Sequence, residues 1–176
     1  MPVHYAFFMT GNTPPRSFRS VVSTMNQHLV SKRLAQLLGH AGLAPFVLLA
    51  LGCWVVQPEW FGAFIKAQLA YGVLIFAFLG GIHWGAALLS PSLDAAQTKK
   101  ALGWGVSVQL LAWFATMIGG FGFALLMAGF VAEFLVDKRF YAWYGLPDWL
   151  LRLRFHLTTG VVVSLALTVA AANVRG

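Results

Sequence analysis

Charged residues are scarce in this sequence of 176 residues, of which 10% are Asp, Glu, Lys or Arg and 59% are hydrophobic. Soluble domains carry roughly a quarter charged residues, so a soluble domain of this length would lack the polar surface it needs. Intrinsic disorder requires low hydrophobicity and dense charge, and the mean hydropathy of +0.75 excludes it. The composition therefore predicts an integral membrane protein.

Cysteine is almost absent, and the common catalytic signatures are missing. The one cysteine, Cys53, lies in an apolar run, where it has no sequence partner for an internal disulfide or a CxxC motif. The sequence contains no GxSxG, HExxH, Walker or glycine-rich dinucleotide motif. We therefore predict no catalytic residue, no metal site and no cofactor, and we favour a protein that is not an enzyme.

Acidic residues are also few, since 12 Lys and Arg stand against 5 Asp and Glu and give a formal net charge of +7. In a soluble protein such an excess would indicate nucleic acid as a partner. A membrane protein instead places its cationic loops against the negative cytoplasmic leaflet. We expect membrane lipid as the partner of these charges, and no nucleic acid.

Long apolar runs dominate the sequence. A bilayer core of about 30 Å needs about 20 helical residues, so the run 101–136 is too long for one crossing. Gly119, Gly120 and Gly122 predict the turn that folds this run into a hairpin. The predicted fold class is an all-α integral membrane protein, a bundle of five transmembrane helices at 34–56, 63–89, 101–118, 119–136 and 155–172.

The cations also predict an orientation in the membrane. Ten Lys and Arg precede span one, join spans two and three, or join spans four and five, whereas Lys66 and Arg175 lie on the opposite side. By the positive-inside rule the N-terminus is then cytoplasmic and the C-terminus outside. Residues 1–33 are predicted to be a polar N-terminal tail. Residues 140–154, which alternate bulky apolar groups with cations, are predicted to be an interfacial segment.

Polar residues within the spans need a partner or a role, because an ionisable group at depth costs about 2.5–3.5 kcal/mol. Counting along the spans predicts that several of them form a buried polar cluster near the cytoplasmic end: His83, Gln109, Glu133, Asp137, Arg152, Arg154 and His156. We favour a polar clamp that fixes helix packing. The alternatives are a proton relay or ligand pocket on His83 and Glu133, and then a metal or haem site, which the lack of an HxxH or HxxxH pair disfavours.

Glycines mark the second span. Gly81 and Gly85 form a GxxxG step, which permits two helices to approach closely. We favour close packing within the bundle over a contact between two copies of the chain.

Several short motifs resemble those of a known family. They are AYGVLIFAFLGGIHWG (Ala70 to Gly85), HAGLAPF (His40 to Phe46), LAW (Leu111 to Trp113), Asp137, LPDW (Leu146 to Trp149), LR (Leu153, Arg154) and LT (Leu157, Thr158). Together they resemble a domain-of-unknown-function family of small bacterial multi-span membrane proteins, whose eukaryotic relatives are mitochondrial membrane proteins. The resemblance covers about residues 34–169. It implies an inner-membrane location and assigns no residue a catalytic role.

Three classes of function fit these observations. The first is an accessory or assembly protein of an inner-membrane complex, respiratory or otherwise energy-converting, which agrees with the lack of catalytic motifs. The second is a small oligomeric transporter or channel that uses His83, Gln109 and Glu133 at depth. The third is a membrane enzyme or a protein that binds a lipid or quinone. We expect a protein partner or a second copy of the chain, with a partner or lipid surface at Tyr141, Trp143, Trp149 and Arg152.

Overall fold

The computed structural model describes the backbone of residues 16–91 and 93–176 and the side chains of 32–91 and 93–176. Throughout this part the chain forms five α-helices and no strand, which confirms the all-helical prediction: α1 (Arg16–Val55), α2 (Pro58–Leu89), α3 (Ala95–Ala115), α4 (Phe121–Tyr144) and α5 (Asp148–Arg175).

The chain divides into two compact units, Met1–Leu38 and Gly39–Gly176. The predicted polar tail, 1–33, belongs to the first unit. Its residues 1–15 lie outside the described residues, and from Arg16 onward its backbone is part of helix α1. The second unit contains the remainder of α1 and all of α2 to α5.

Local sequence explains where α2 and α3 begin and end. Pro58 occupies the first turn of α2, where its missing N–H does no harm, and the extended Gln57 precedes it. The helix ends at Leu89, before Ser90 and Pro91. A capping box then starts α3: Asp94 accepts from the Gln97 N–H at 2.7 Å, while the Gln97 side chain accepts from the Asp94 N–H at 3.1 Å.

Glycines lie in the turn of the hairpin and at the end of the fourth helix. Residues 116–120 form the turn between α3 and α4, and Gly119 adopts a left-handed φ of 58° there. Gly145, with φ 66°, ends α4, and the N–H of Leu146 reaches back to the Tyr141 carbonyl at 3.0 Å. Helix α5 begins directly afterwards at Asp148, preceded by Pro147. The predicted interfacial segment 140–154 is therefore the end of α4, a short break and the start of α5.

Three helical segments in the described part are long and apolar enough to cross a membrane: Lys32–Val55, Pro58–Leu89 and Asp148–Arg175. Helices α3 and α4 have 21 and 24 residues, but charged residues occupy one end of each. Lys99 and Lys100 lie in the first turns of α3, and Glu133, Asp137 and Lys138 lie in the second half of α4. The three long apolar segments identify the chain as a membrane protein.

Helices α2 and α3 approach each other at glycines. A Cβ on Gly80 would lie 2.7 Å from the Gly105 carbonyl oxygen, and a Cβ on Gly105 would lie 2.6 Å from the Gly80 carbonyl oxygen. The two backbones are therefore in direct contact. Gly81 and Gly85, the predicted GxxxG step, have open space where a Cβ would be, so the close approach runs through Gly80 instead.

Aromatic rings fill the centre of the second unit. Phe76 and Phe130 have ring centroids 5.2 Å apart, and Phe46 meets Phe130 edge-on at 6.3 Å. Leu126, Val108 and Leu165 complete this buried core. The core lies one helical turn from the ionisable residues of α2 and α4, because Leu79 precedes His83 and Phe130 precedes Glu133.

Candidate functional site

One face of α4 carries the acidic residues of the candidate site. Glu133, Asp137, Phe140 and Tyr144 follow one another at spacings of four, three and four residues, which places them on one side of the helix. The two carboxylates are therefore one turn apart. Both side chains are buried, with Glu133 0% and Asp137 2% exposed.

The imidazole of His83, which is 1% exposed, faces these two carboxylates from α2. Its Nε2 lies 3.0 Å from Glu133 Oε1 and 3.4 Å from Asp137 Oδ1. Its other nitrogen, Nδ1, lies 3.3 Å from the hydroxyl of Tyr144. The ring of Phe140 packs against the imidazole edge-on with centroids 5.2 Å apart, so contacts on several sides fix the orientation of the imidazole.

The remaining oxygen of each carboxylate accepts a hydrogen bond from another helix. Trp104 on α3 donates its indole N–H to Glu133 Oε2 at 2.5 Å, and Arg154 on α5 donates Nε–H to Asp137 Oδ2 at 2.7 Å. Four helices thus meet at one cluster of side chains. We call His83, Glu133, Asp137 and Arg154 the polar cluster, with Trp104 and Tyr144 as its two supporting donors or acceptors.

Arg154 compensates part of the negative charge of the polar cluster. Arg154 is 8% exposed and brings one positive charge to two carboxylates, and a protonated His83 would bring a second. Buried ions are tolerated in a protein interior when they are paired and their remaining polar atoms are bonded. Removal of Arg154 therefore leaves both carboxylates without a permanent positive charge beside them.

Some buried polar atoms around the cluster make no hydrogen bond. They include His83 Nε2 and Glu133 Oε1, which face each other at a short distance but are not aligned for a hydrogen bond. They also include Arg154 Nη2 and Thr158 Oγ1, one helical turn apart on α5. Buried polar atoms are ordinarily hydrogen-bonded, so a proton, a water molecule or an ion could bind at these atoms.

Residues 31–170 match the model of the family described as protein of unknown function DUF3429. The chain belongs to this family. The matched range contains every member of the polar cluster and both of its supporting residues. The resemblance noted from the sequence motifs is thereby confirmed.

A curated relative carries the name Transmembrane protein 69 and comes from Xenopus tropicalis. It is 33% identical to this chain over an alignment of 136 residues, which covers 73% of this chain and 50% of the relative. The chain therefore spans about half the length of that relative. No solved structure matches the chain.

In this DUF3429 chain the polar cluster is smaller than the one predicted from the sequence. The structure brings His83, Glu133, Asp137 and Arg154 together. Gln109 instead lies on an exposed face of α3, and Arg152 and His156 lie on exposed faces of α5. Val108, the residue before Gln109, is buried, whereas Gln109 itself is exposed and points away from the bundle.

Only some residues of the predicted partner surface lie at the surface of the structure. Tyr141 is 4% exposed and belongs to the interior, because it sits on α4 one turn beyond Asp137. Trp143 is half-buried and stacks on Phe140 with centroids 4.6 Å apart. Trp149 is half-buried and Arg152 is exposed, so these two remain at the surface near the start of α5.

Two residues of the site were missed by sequence reasoning. Trp104 and Tyr144 had the character of membrane-interface aromatics, which are expected near span ends. A signal for Tyr144 was present, since it lies seven residues after Asp137 on the same helical face. For Trp104 the sequence offered no such signal, because its partner Glu133 lies on another helix.

Two cavities lie apart from the polar cluster. One, of about 600 Å³, is an open groove lined by residues that include Trp84, Lys99 and Leu102. The other, of about 410 Å³, lies between residues of α2, α4 and α5 that include Ile65, Phe121 and Asn173. Neither is lined by a member of the cluster.

The arrangement of the cluster allows two kinds of chemistry. An imidazole between two carboxylates can hold or pass a proton. Alternatively, one atom each from His83, Glu133 and Asp137 could hold a metal ion, since all three ligand atoms lie within 4.8 Å of one another.

Proposed function

We propose that this chain is a non-enzymatic accessory or assembly protein of an inner-membrane complex, to which its helices contribute a rigid, apolar scaffold. The observation that carries the proposal is the closure of the polar cluster. Four helices converge on it, and its most exposed member, Arg154, is only 8% exposed. An enclosed cluster of this kind fixes helix packing, as a clamp does.

The aromatic core supports this proposal over a transporter. A transport pathway would continue from the polar cluster toward the other end of the bundle, where Gln68 is buried. Phe76 and Phe130 lie between them with ring centroids 5.2 Å apart, and the Phe76 ring packs directly on Gly129. The interior on that side of the cluster is thus aromatic rather than polar.

The hydroxyls of Ser164 and Thr168, farther along α5, do not supply a substitute pathway. Ser164 donates to the Gly160 carbonyl at 2.8 Å, and Thr168 donates to the Ser164 carbonyl at 3.2 Å. Each hydroxyl hydrogen is engaged by the backbone of its own helix, one turn back. The alternative of a channel would therefore need a pathway built from several copies of the chain.

The proposal includes a topology of five crossings, with the N-terminus in the cytoplasm and the C-terminus outside. Its support is the distribution of cations and the lengths of α3 and α4, which at 21 and 24 residues match the thickness of a bilayer core of about 30 Å. The polar cluster would then lie toward the cytoplasmic side of the bundle. The carboxylates of α4 would be compensated there by Arg154.

The partner surface in this proposal lies at the start of α5. Trp149 and Arg152 combine an aromatic anchor with a guanidinium group, the residue types that most often dominate protein interfaces. Trp143 is close to them in sequence but packs on Phe140, so its replacement would disturb the bundle itself. Arg152 is therefore the position at which a partner is best detected.

A site-specific cross-linking experiment in native membranes tests the proposal. A photoreactive amino acid at position 152 should give one defined protein adduct, identified by mass spectrometry. The same amino acid in place of Leu74, which is 66% exposed on α2, provides the control for contacts with lipid and random neighbours. The adduct should be lost when Trp149 is replaced by Ser.

Each other result counts against the accessory role. Adducts only to lipid at both positions would favour a lipid-binding protein. An adduct only to a second copy of the chain would favour an oligomeric transporter. A chain that leaves native membranes alone in gentle detergent, with no companion in fixed ratio, would also contradict the proposal.

A further inference from the structure

We propose that His83, Glu133 and Asp137 form a buried binding site for a divalent transition-metal cation, with Zn²⁺ or Mn²⁺ as its best-fitting occupants. The three residues come from two helices, α2 and α4. The site goes beyond the accessory role proposed above and does not depend on it. A bound cation would crosslink two helices at their most polar point.

The two distances from His83 to the carboxylates fit a coordination sphere. Two ligands that are each about 2.1 Å from a cation lie about 3.0 Å apart at a right angle and about 3.4 Å apart at a tetrahedral angle. His83 Nε2 lies 3.0 Å from Glu133 Oε1 and 3.4 Å from Asp137 Oδ1. These distances allow a cation to bridge His83 to either carboxylate, and one ligand atom from each of the three residues lies within 4.8 Å of the others.

The supporting residues hold each ligand as metal sites require. A metal-bound histidine usually has its other ring nitrogen hydrogen-bonded, and metal-bound carboxylates are themselves hydrogen-bonded. His83 Nδ1 meets the Tyr144 hydroxyl, Glu133 Oε2 accepts from Trp104, and Asp137 Oδ2 accepts from Arg154. In each case the hydrogen bond is made by the ring nitrogen or carboxylate oxygen that is not the proposed metal ligand.

A separate observation points to a missing occupant. His83 Nε2 and Glu133 Oε1 are completely buried and lie 3.0 Å apart, but they are not aligned for a hydrogen bond to each other. A cation between an imidazole nitrogen and a carboxylate oxygen accepts a lone pair from each of them, which an unaligned contact between the two does not do. Two of the three ligands are therefore the buried atoms that need a partner.

The types of ligand atom limit which cations the site can bind. Imidazole nitrogen favours Zn²⁺ and other transition metals, whereas carboxylate oxygens alone favour Mg²⁺, Ca²⁺ and Mn²⁺. One nitrogen and two oxygens, with no thiolate among the three ligands, fit Zn²⁺ or Mn²⁺. The usual sequence motifs do not detect the site, because its histidine and its carboxylates are separated by the whole of α3.

A proton is the rival occupant. A protonated His83 between the two carboxylates, with Arg154 beside them, would make the cluster neutral and would need no metal. The two occupants exclude each other, because a metal-bound imidazole must be deprotonated at the ligating nitrogen. Metal content therefore distinguishes them directly.

The experiment uses the full chain purified in mild detergent through an affinity tag without histidines. Elemental mass spectrometry should find close to one equivalent of Zn or Mn per chain. After the metal is removed by a chelator, ZnCl₂ or MnCl₂ should restore the stoichiometry and raise the melting temperature by several degrees, because the cation binds only the folded bundle.

Four variants locate the cation. His83→Gln and Glu133→Gln should lose it, whereas His156→Gln and Asp148→Asn, which change an exposed histidine and an exposed carboxylate, should keep it. Trp104→Phe should weaken binding by about 10- to 100-fold, because it removes the group that orients Glu133. A wild-type chain that carries no metal and does not respond to either salt overturns the proposal, whether or not the variants fold. Equal metal content in all variants overturns it as well.

Discussion

Arg154 donates its Nε–H to Oδ2 of Asp137 at 2.7 Å, and this ion pair joins α5 to α4 across a separation of 17 residues. Both side chains are nearly inaccessible to solvent. Arg152, two residues earlier on the same helix, is exposed. The two arginines therefore have the same chemistry in opposite environments, which makes them a matched pair for mutation.

Replacement of Arg154 by Met should strongly destabilise the bundle. The change leaves the Asp137 carboxylate buried without its cation, and loss of one partner of a buried pair typically costs about 3–5 kcal/mol. Arg152→Met should change stability by less than about 0.5 kcal/mol. Thermal unfolding of both variants in the same detergent provides the measurement.

A double variant distinguishes a true ion pair from simple packing. Asp137→Asn combined with Arg154→Met removes both charges and should be less destabilised than the sum of the two single variants. Strictly additive losses would mean that the two residues contribute independently.

Trp104→Phe should destabilise the protein by about 1–3 kcal/mol, because it leaves Glu133 Oε2 buried without its donor. Trp84→Phe is the matched control, since Trp84 Nε1 donates to the Leu102 carbonyl at 3.0 Å in an exposed position outside the polar cluster. The control should lose about 1 kcal/mol or less. Similar melting temperatures for the two variants would show that the Trp104 hydrogen bond does not stabilise the cluster.

Gly80→Ala should destabilise the bundle by about 1–3 kcal/mol, since the new methyl group would lie 2.7 Å from the Gly105 carbonyl oxygen. Gly81→Ala is the control at the next position, where the methyl group meets open space. It should be neutral or stabilising by up to about 1 kcal/mol, because alanine favours the helix. Thermal unfolding that ranks Gly81→Ala as the more harmful change would contradict the packing of α2 on α3.

Cysteine labelling should determine the proposed topology. Cys53 is the one native cysteine and is 0% exposed, so a Cys53→Ala chain gives a background for single cysteines. A membrane-impermeant thiol reagent applied to intact cells should label cysteines at Glu59 and Gly120 and leave one at Lys99 unlabelled. Labelling at Lys99 would overturn the proposed orientation.

Sequence patterns predicted the ends of the helices where a backbone constraint exists. The second span was predicted to end at residue 89, which is the last residue of α2, and the glycines near 119 predicted the hairpin turn. The extension of α4 to Tyr144 was not predicted, because hydropathy reports where an apolar run ends and not where the helix ends. The polar residues after Val136 continue the helix because several of them face partners in the bundle.

The depth of a residue in the membrane was easier to predict than the side of the helix on which its side chain lies. Glu133 and His83 were placed at similar depth by counting residues, and the structure brings them into contact. Gln109 was placed by the same count but points outward, since the buried face of α3 consists of small residues such as Gly105 and Val108. Membrane helices are apolar on all sides, so the hydrophobic pattern carries little information on rotation.

The ion pair between α4 and α5 also has a consequence for how the protein is made. Both carboxylates of the polar cluster are synthesised before Arg154, because α4 precedes α5 in the chain. Until α5 is inserted, Asp137 has no guanidinium partner, and a carboxylate at depth is unfavourable in lipid. Closure of the polar cluster therefore waits for α5, and a nascent chain interrupted before α5 would leave the Asp137 carboxylate without its guanidinium partner.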